Sequence, residues 1–415
     1  MTCRTDPAAL ATATAVADAL TDPHTVIDPG PARKRPQSLA GGALGIALLH
    51  IERARTGHGD PATAHTWLTL AASEPVSTGP NANLYHGAPA LGLVLHLAAA
   101  GTSHYRNVRA AIDDKTTAVT EQRLAAAHTR IDRGEPLTMR EFDLIHGLTG
   151  IGVYHLHRHP GDPLTRDVLT YLARLTQPLT SAGPHRHAAV PPWWLAAGLT
   201  GEADPIHYPA GHGNLGVAHG ISAIIALFSL AVLRDAATPD VPEALARLCA
   251  WTDQWRQPTD NGWWWPGYLT ADPTSRRIET PQRPRPSWCY GIAGTARAQQ
   301  LAGLALGETT RHHAAEAAIL DALRDPAQRA LLPDVGLCHG KAGLLQAAWR
   351  MTAHASTHHL ADELPGLTDE ITRQLSAGSV ADPELLDGAA GAALALHTVG
   401  TGTVATDWDT VLLLA

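Results

Sequence analysis

The chain has 415 residues, enough for one large domain or two to three average ones, and 45% hydrophobic residues can bury a core. Its 31 Lys and Arg against 39 Asp and Glu leave a formal net charge of −8. The basic residues are scattered, which argues against a nucleic-acid or anionic-membrane surface.

The N-terminus, MTCRTDPAAL, lacks a basic-then-apolar signal sequence, and residues 8–20 read as the first helix. A glycine head leading an apolar helix then recurs seven times: GALG (42–45), GAPA (87–90), GLTG (147–150), GISA (220–223), GIAG (291–294), GKAG (340–343) and GAAG (388–391). Five heads keep both glycines; Ala90 and Ala223 replace the second in the other two. The shorter steps between heads match a repeat of roughly 40–50 residues, the size of a helix pair with its connections. Between the heads, residues 109–132, 242–256, 312–324 and 367–377 read as further helices.

Glycine at a helix start removes the Cβ that would block close backbone approach. Seven such starts pointing one way predict inner helices whose N-terminal ends share a central cavity. Two longer intervals hold irregular excursions: 158–212, rich in Pro, His and Trp, and 257–287, with GWWWPGYL and RPRPS. Short strands are expected there, with tryptophans that line a groove or simply pack. The most apolar stretch, about 215–233, is interrupted by His219 and Gly220 and reads as a buried helix rather than a membrane span.

The cysteines, Cys3, Cys249, Cys289 and Cys338, are too widely spaced for a disulfide framework, so reduced thiols and a soluble, cytoplasmic protein are expected. Two of them head glycine-rich turns, in SWCYGIAG (287–294) and LCHGKAG (337–343). Cys289, Cys338 and His339 would give a zinc ion three protein ligands and one open position. His219, in GNLGVAHGIS (213–222), is left for proton transfer. The competing reading of Cys289 and Cys338 is as buried core cysteines.

Together, the repeated heads, WCYG, CHG and N-x-G-x-A-H-G resemble the lanthionine synthetase C (LanC) cyclases, from about residue 38 to 400. The resemblance implies an all-α fold, an α/α toroid of seven inner and seven outer helices with small or irregular insertions. It is read as a single domain over 1–415 with an inserted subdomain at about 158–212. It implies Zn2+ held by Cys289, Cys338 and His339, with Asp143, His219, Arg285 and Tyr290 near the metal. The implied activity is formation of (methyl)lanthionine rings by adding peptide cysteine thiolates to dehydroalanine or dehydrobutyrine. The implied partners are a dehydrated lanthipeptide precursor, leader and core, a separate dehydratase and a transporter.

Plainer roles compete at individual positions: a helix cap for Asp143 and a salt bridge for Arg285. His219 and Tyr290 are both left as proton donors. Rival functions are a protein that adds or binds glutathione or another thiol, and a non-catalytic toroid scaffold. A glycosidase built on Asp143 and Asp387 would leave both zinc-type motifs unexplained.

Overall fold

A computed structural model describes residues 5–26, 35–99, 101–177, 190–272, 277–279, 282–376, 378 and 382–415. Cys3 and part of the expected insertion, 178–189, lie outside these residues. In chain order the helices are α1 (Pro7–Ala19), α2 (Pro23–Val26), α3 (Ala43–Arg55), α4 (Pro61–Ala71), α5 (Ala88–Ala99) and α6 (Arg106–Asp132). There follow α7 (Met139–Phe142), α8 (Leu148–Arg158), α9 (Pro163–Leu175), α10 (Ile221–Leu233) and α11 (Val241–Asp253). The last are α12 (Ile292–Leu306), α13 (Thr309–Arg324), α14 (Pro326–Ala330), α15 (Lys341–Thr352), α16 (His359–Ser376) and α17 (Ala389–Thr401).

Every predicted head opens a helix, giving α3, α5, α8, α10, α12, α15 and α17. These helices are buried nearly all round; in α10 each residue from Ile221 to Ala231 is buried. A helix apolar on every face belongs inside a larger core. The glycines allow that packing. A Cβ on Gly391 would lie 1.9 Å from the carbonyl oxygen of Leu385.

The intervening helices bury only one side. In α1 that side is Ala9, Ala13 and Ala17, four residues apart on one face. Asp6 caps α1 by accepting hydrogen bonds from the N–H groups of Ala8 and Ala9. In α4 the buried side is Ala64, Trp67, Leu68 and Ala71, and Asp60 caps it with Pro61 at its first position.

The chain forms two compact units. In the unit comprising Met1–Thr116, Pro286–Trp288 and Ala322–Ala415, α1 packs on α17, α3 on α4 and α15 on α16, while α17 also meets α3 and α15. Buried Trp288 donates its indole N–H to the carbonyl of Leu412, and Tyr85 donates to that of Val411, so the C-terminal segment is tied into this core. In the unit comprising Thr117–Arg285 and Cys289–Asp321, α10 packs against α8, α11 and α12, and α9 against α8 and α11.

Two expectations need correction. Residues Pro163–Leu175, read as part of an irregular excursion, form the amphipathic helix α9. Pro163 starts it, and Val168, Leu169, Leu172 and Leu175 are buried. The other is α16, which starts at His359, ahead of the expected 367, and runs through Pro365. The rest of the excursions carries short strands, as expected: His212–Asn214 pairs antiparallel with Tyr268–Thr270, and Gln257–Pro258 with Trp263–Trp264.

Several tryptophans of the excursions pack rather than line a groove. Trp193 and Trp265 are buried, Trp193 stands edge-on to Trp251, and Trp194 donates to the carbonyl of Ala210. A cavity of about 740 Å³ in the same region is lined instead by Tyr208, Tyr268, Asp204, Glu279 and Arg283, among others.

Candidate metal centre and proton-transfer site

The turns that precede the helical heads carry the candidate side chains. Cys338 and His339 stand just before Gly340, the N-cap of α15. The N–H of Cys338 donates to the carbonyl of Leu386 at 2.8 Å. A Cβ on Gly340 would lie 2.3 Å from the amide nitrogen of Gly336, so this turn closes only around glycine. His339 Nδ1 lies 3.3 Å from a carboxylate oxygen of Asp387, the residue that precedes the head of α17.

Cys289 and Tyr290 stand before Gly291, the N-cap of α12. The carbonyl of Cys289 accepts from the N–H groups of Val217 (2.9 Å) and Ala218 (3.2 Å), which seats the His219 turn directly on the Cys289 turn. Gly216 permits that contact, because its Cβ would fall 2.4 Å from the same carbonyl oxygen.

The ligand atoms of Cys289, Cys338 and His339 all lie within 4.8 Å of one another. Cys289 is buried and the other two are half-buried. Tetrahedral zinc, with bonds of about 2.3 Å to sulfur and about 2.0 Å to nitrogen, keeps its donor atoms roughly 3.5–3.8 Å apart. The span and the donor set therefore suit a metal ion, two sulfurs and one imidazole nitrogen being a known zinc set with a fourth position open. Cys249 is different: it is buried in α11, outside this group, and burial pushes its thiol up to about 12.

His219 and Asp143, 76 residues apart in sequence, form a short pair, with Nδ1 of His219 donating to Asp143 Oδ2 at 2.5 Å. The second carboxylate oxygen of Asp143 accepts from the backbone N–H of His146 at 2.6 Å. Asp143 is fully buried, and Gly147, not Asp143, is the N-cap of α8. The capping role weighed for Asp143 is thus not what its side chain does. With Nδ1 engaged, Nε2 of His219 is the nitrogen left to exchange a proton, on a side chain 22% exposed.

The Tyr290 ring is centred 6.1 Å from that of His219. Arg285 is exposed, and among the described residues no hydrogen bond or ion pair ties it to Asp143, His219 or Cys289.

Sequence reasoning passed over two neighbours. The His146 ring is stacked beside His219 with centroids 5.8 Å apart. Arg123, from α6, donates to the carbonyl of His146 at 2.5 Å, and burial lowers its pKa against the opposing pull of Asp143. His146 had a visible signal, its place within DLIHG directly before a head; Arg123, 20 residues upstream of Asp143, had none.

No helix among the described residues is long and apolar enough to cross a membrane. Compared with solved structures, the chain is similar to a nisin cyclase, with a TM-score of 0.78 at 20% identity, over 98% of this chain and 96% of that one. The likeness gives the fold: a largely helical α/α toroid. In sequence it is 23% identical over 270 residues to the nisin biosynthesis protein NisC of Lactococcus lactis subsp. lactis. That match covers 64% of this chain and 60% of the relative's length. The family model for lanthionine synthetase C-like proteins matches residues 33–413, so the chain belongs to the lanthionine synthetase C-like family.

Proposed function

We propose that this protein is a zinc-dependent lanthipeptide cyclase, which closes thioether rings in a dehydrated precursor peptide. The observation that carries this reading is the meeting of Cys289, Cys338 and His339 within 4.8 Å. Family membership and the fold shared with a nisin cyclase support it. Zinc held by these three residues would supply the substrate cysteine as a thiolate, which a free thiol with pKa about 8.5 is not at neutral pH.

The protein's own groups account for the remaining chemistry. The peptide sulfur bonds to the β-carbon of dehydroalanine or dehydrobutyrine, and the π electrons move to the adjacent carbonyl as an enolate. His219 delivers a proton to the α-carbon, so the sum is addition of S–H across C=C. Asp143 holds Nδ1 of His219 and stabilises its charged form, which directs transfer through Nε2. Tyr290, beside His219, is the alternative donor. Arg285 is assigned to the enolate oxygen, reached from its exposed segment once substrate is bound. With Cys289 and Cys338 both as thiolates, the charge of a divalent ion held there would be balanced, which would leave a substrate sulfur nucleophilic.

The same reading places the protein in the cytoplasm, working on a precursor dehydrated by a separate enzyme. The test is mass spectrometry of a dehydrated precursor after thiol alkylation, with and without the protein. Cysteines that become protected from alkylation only with the protein are the expected result; full alkylation in both samples overturns the reading.

A further inference from the structure

We propose that His146 is a positioning residue for His219, its imidazole backing the His219 ring and holding Nε2 toward the substrate. The proposal rests on the reading of His219 as the proton donor. Three observations carry it. The two rings are stacked, 25° from parallel, with centroids 5.8 Å apart. Both residues are fastened to the same carboxylate, His219 through Nδ1 and His146 through its backbone N–H. The His146 main chain is gripped from its other side as well, by the Arg123 guanidinium on its carbonyl. The ring is therefore carried on a braced backbone, and its position is set independently of substrate.

A hydrogen bond to Nδ1 alone leaves an imidazole free to swing about that bond. A flat group against its face removes the swing, and Tyr290, centred 6.1 Å away, bounds the ring further. Burial lowers the His146 pKa and the nearby His219, Arg140 and Arg123 lower it further, while Asp143 raises it. An uncharged His146 can lie against a protonated His219 without like-charge repulsion.

Because the bonds to His146 use its main chain, side-chain variants isolate the ring. In H146A, kcat for cyclisation should fall about tenfold with KM and bound zinc unchanged, the cost of a loosened proton donor. H146F restores a flat face and should return kcat to within about twofold. The far-downfield proton resonance of the His219–Asp143 bond should stay sharp in the wild type and H146F and broaden in H146A. The proposal is overturned if the wild type shows no such resonance, if H146A keeps both resonance and kcat, or if H146F loses as much as H146A. The resonance needs no substrate, so failure of the cyclase reading leaves this part of the test standing.

Discussion

Asp143 divides its two oxygens between a side chain and a main chain, one on Nδ1 of His219 and one on the backbone N–H of His146. Asp143→Asn keeps the volume but replaces one acceptor with a donor, so Nδ1 of His219 loses its charged partner. Cyclisation in D143N and in His219→Asn should fall by about 10² to 10⁴, the range for losing a general acid. Bound zinc, measured by elemental mass spectrometry, should be unchanged in both. Cys289→Ala and Cys338→Ala should reverse the pattern by losing the metal and, with it, activity; full zinc occupancy in either variant contradicts the ligand set. Cys249→Ala should leave zinc content untouched, since this buried thiol stands apart from the cluster.

Among the elements, α3, α15 and α17 sit against backbone that a Cβ on the second head glycine would strike, whereas α5 and α10 carry alanine at that position. Gly391 is a test at the Leu385 turn, whose next residue, Leu386, holds the Cys338 N–H: its Cβ would meet the Leu385 carbonyl at 1.9 Å and the Leu337 side chain at 2.7 Å. Gly391→Ala should cost about 2–4 kcal/mol through overpacking and displaced backbone. Urea unfolding would show this as a lower midpoint. An unchanged midpoint would mean that α17 can shift away from the turn before it. At the same scale, Asp6→Ala removes the acceptor for two N–H groups at the start of α1 and should cost about 1 kcal/mol.

For the molecule as a whole, acid stability is set partly by two buried histidines. His212 and His397 are fully buried, and burial lowers each to about 4. His212 donates from Nδ1 to the Ala197 carbonyl at 2.7 Å, while its buried Nε2 has no hydrogen-bond partner among the described residues to stabilise a second proton. Both folded values lie below the unfolded value near 6.5, so the unfolded chain binds protons first as the pH falls. Stability is therefore fully present above about pH 6.5 and lost progressively toward pH 4, by on the order of 3 kcal/mol per histidine. Urea midpoints at pH 7.5 and 5 should show the loss, and His212→Asn, which keeps a donor for Ala197, should reduce it. The measurement belongs in chelator, so that metal release does not add to the slope. Added zinc should raise the stability at pH 7.5 by about 4 kcal/mol at a thousand times its Kd, seen as a higher urea midpoint, and Cys338→Ala should abolish that gain.

The repeated heads were legible because each is a local pattern: glycines and an apolar run lie within a dozen covalently linked residues, and their periodicity specifies a helix start wherever the chain folds. The zinc-type triad was legible for a related reason, since Cys338 and His339 are adjacent and Cys289 stands in a turn of the same kind. Helix α9 was obscured by its Pro- and His-rich surroundings, although its buried positions follow helical spacing. The resemblance already set Asp143 near His219; only the tertiary structure showed their contact through Nδ1, stacked His146 beside that pair and left Arg285 exposed. Contacts between residues many positions apart depend on how whole helices pack, and no local pattern encodes the distance between two turns that meet through that packing.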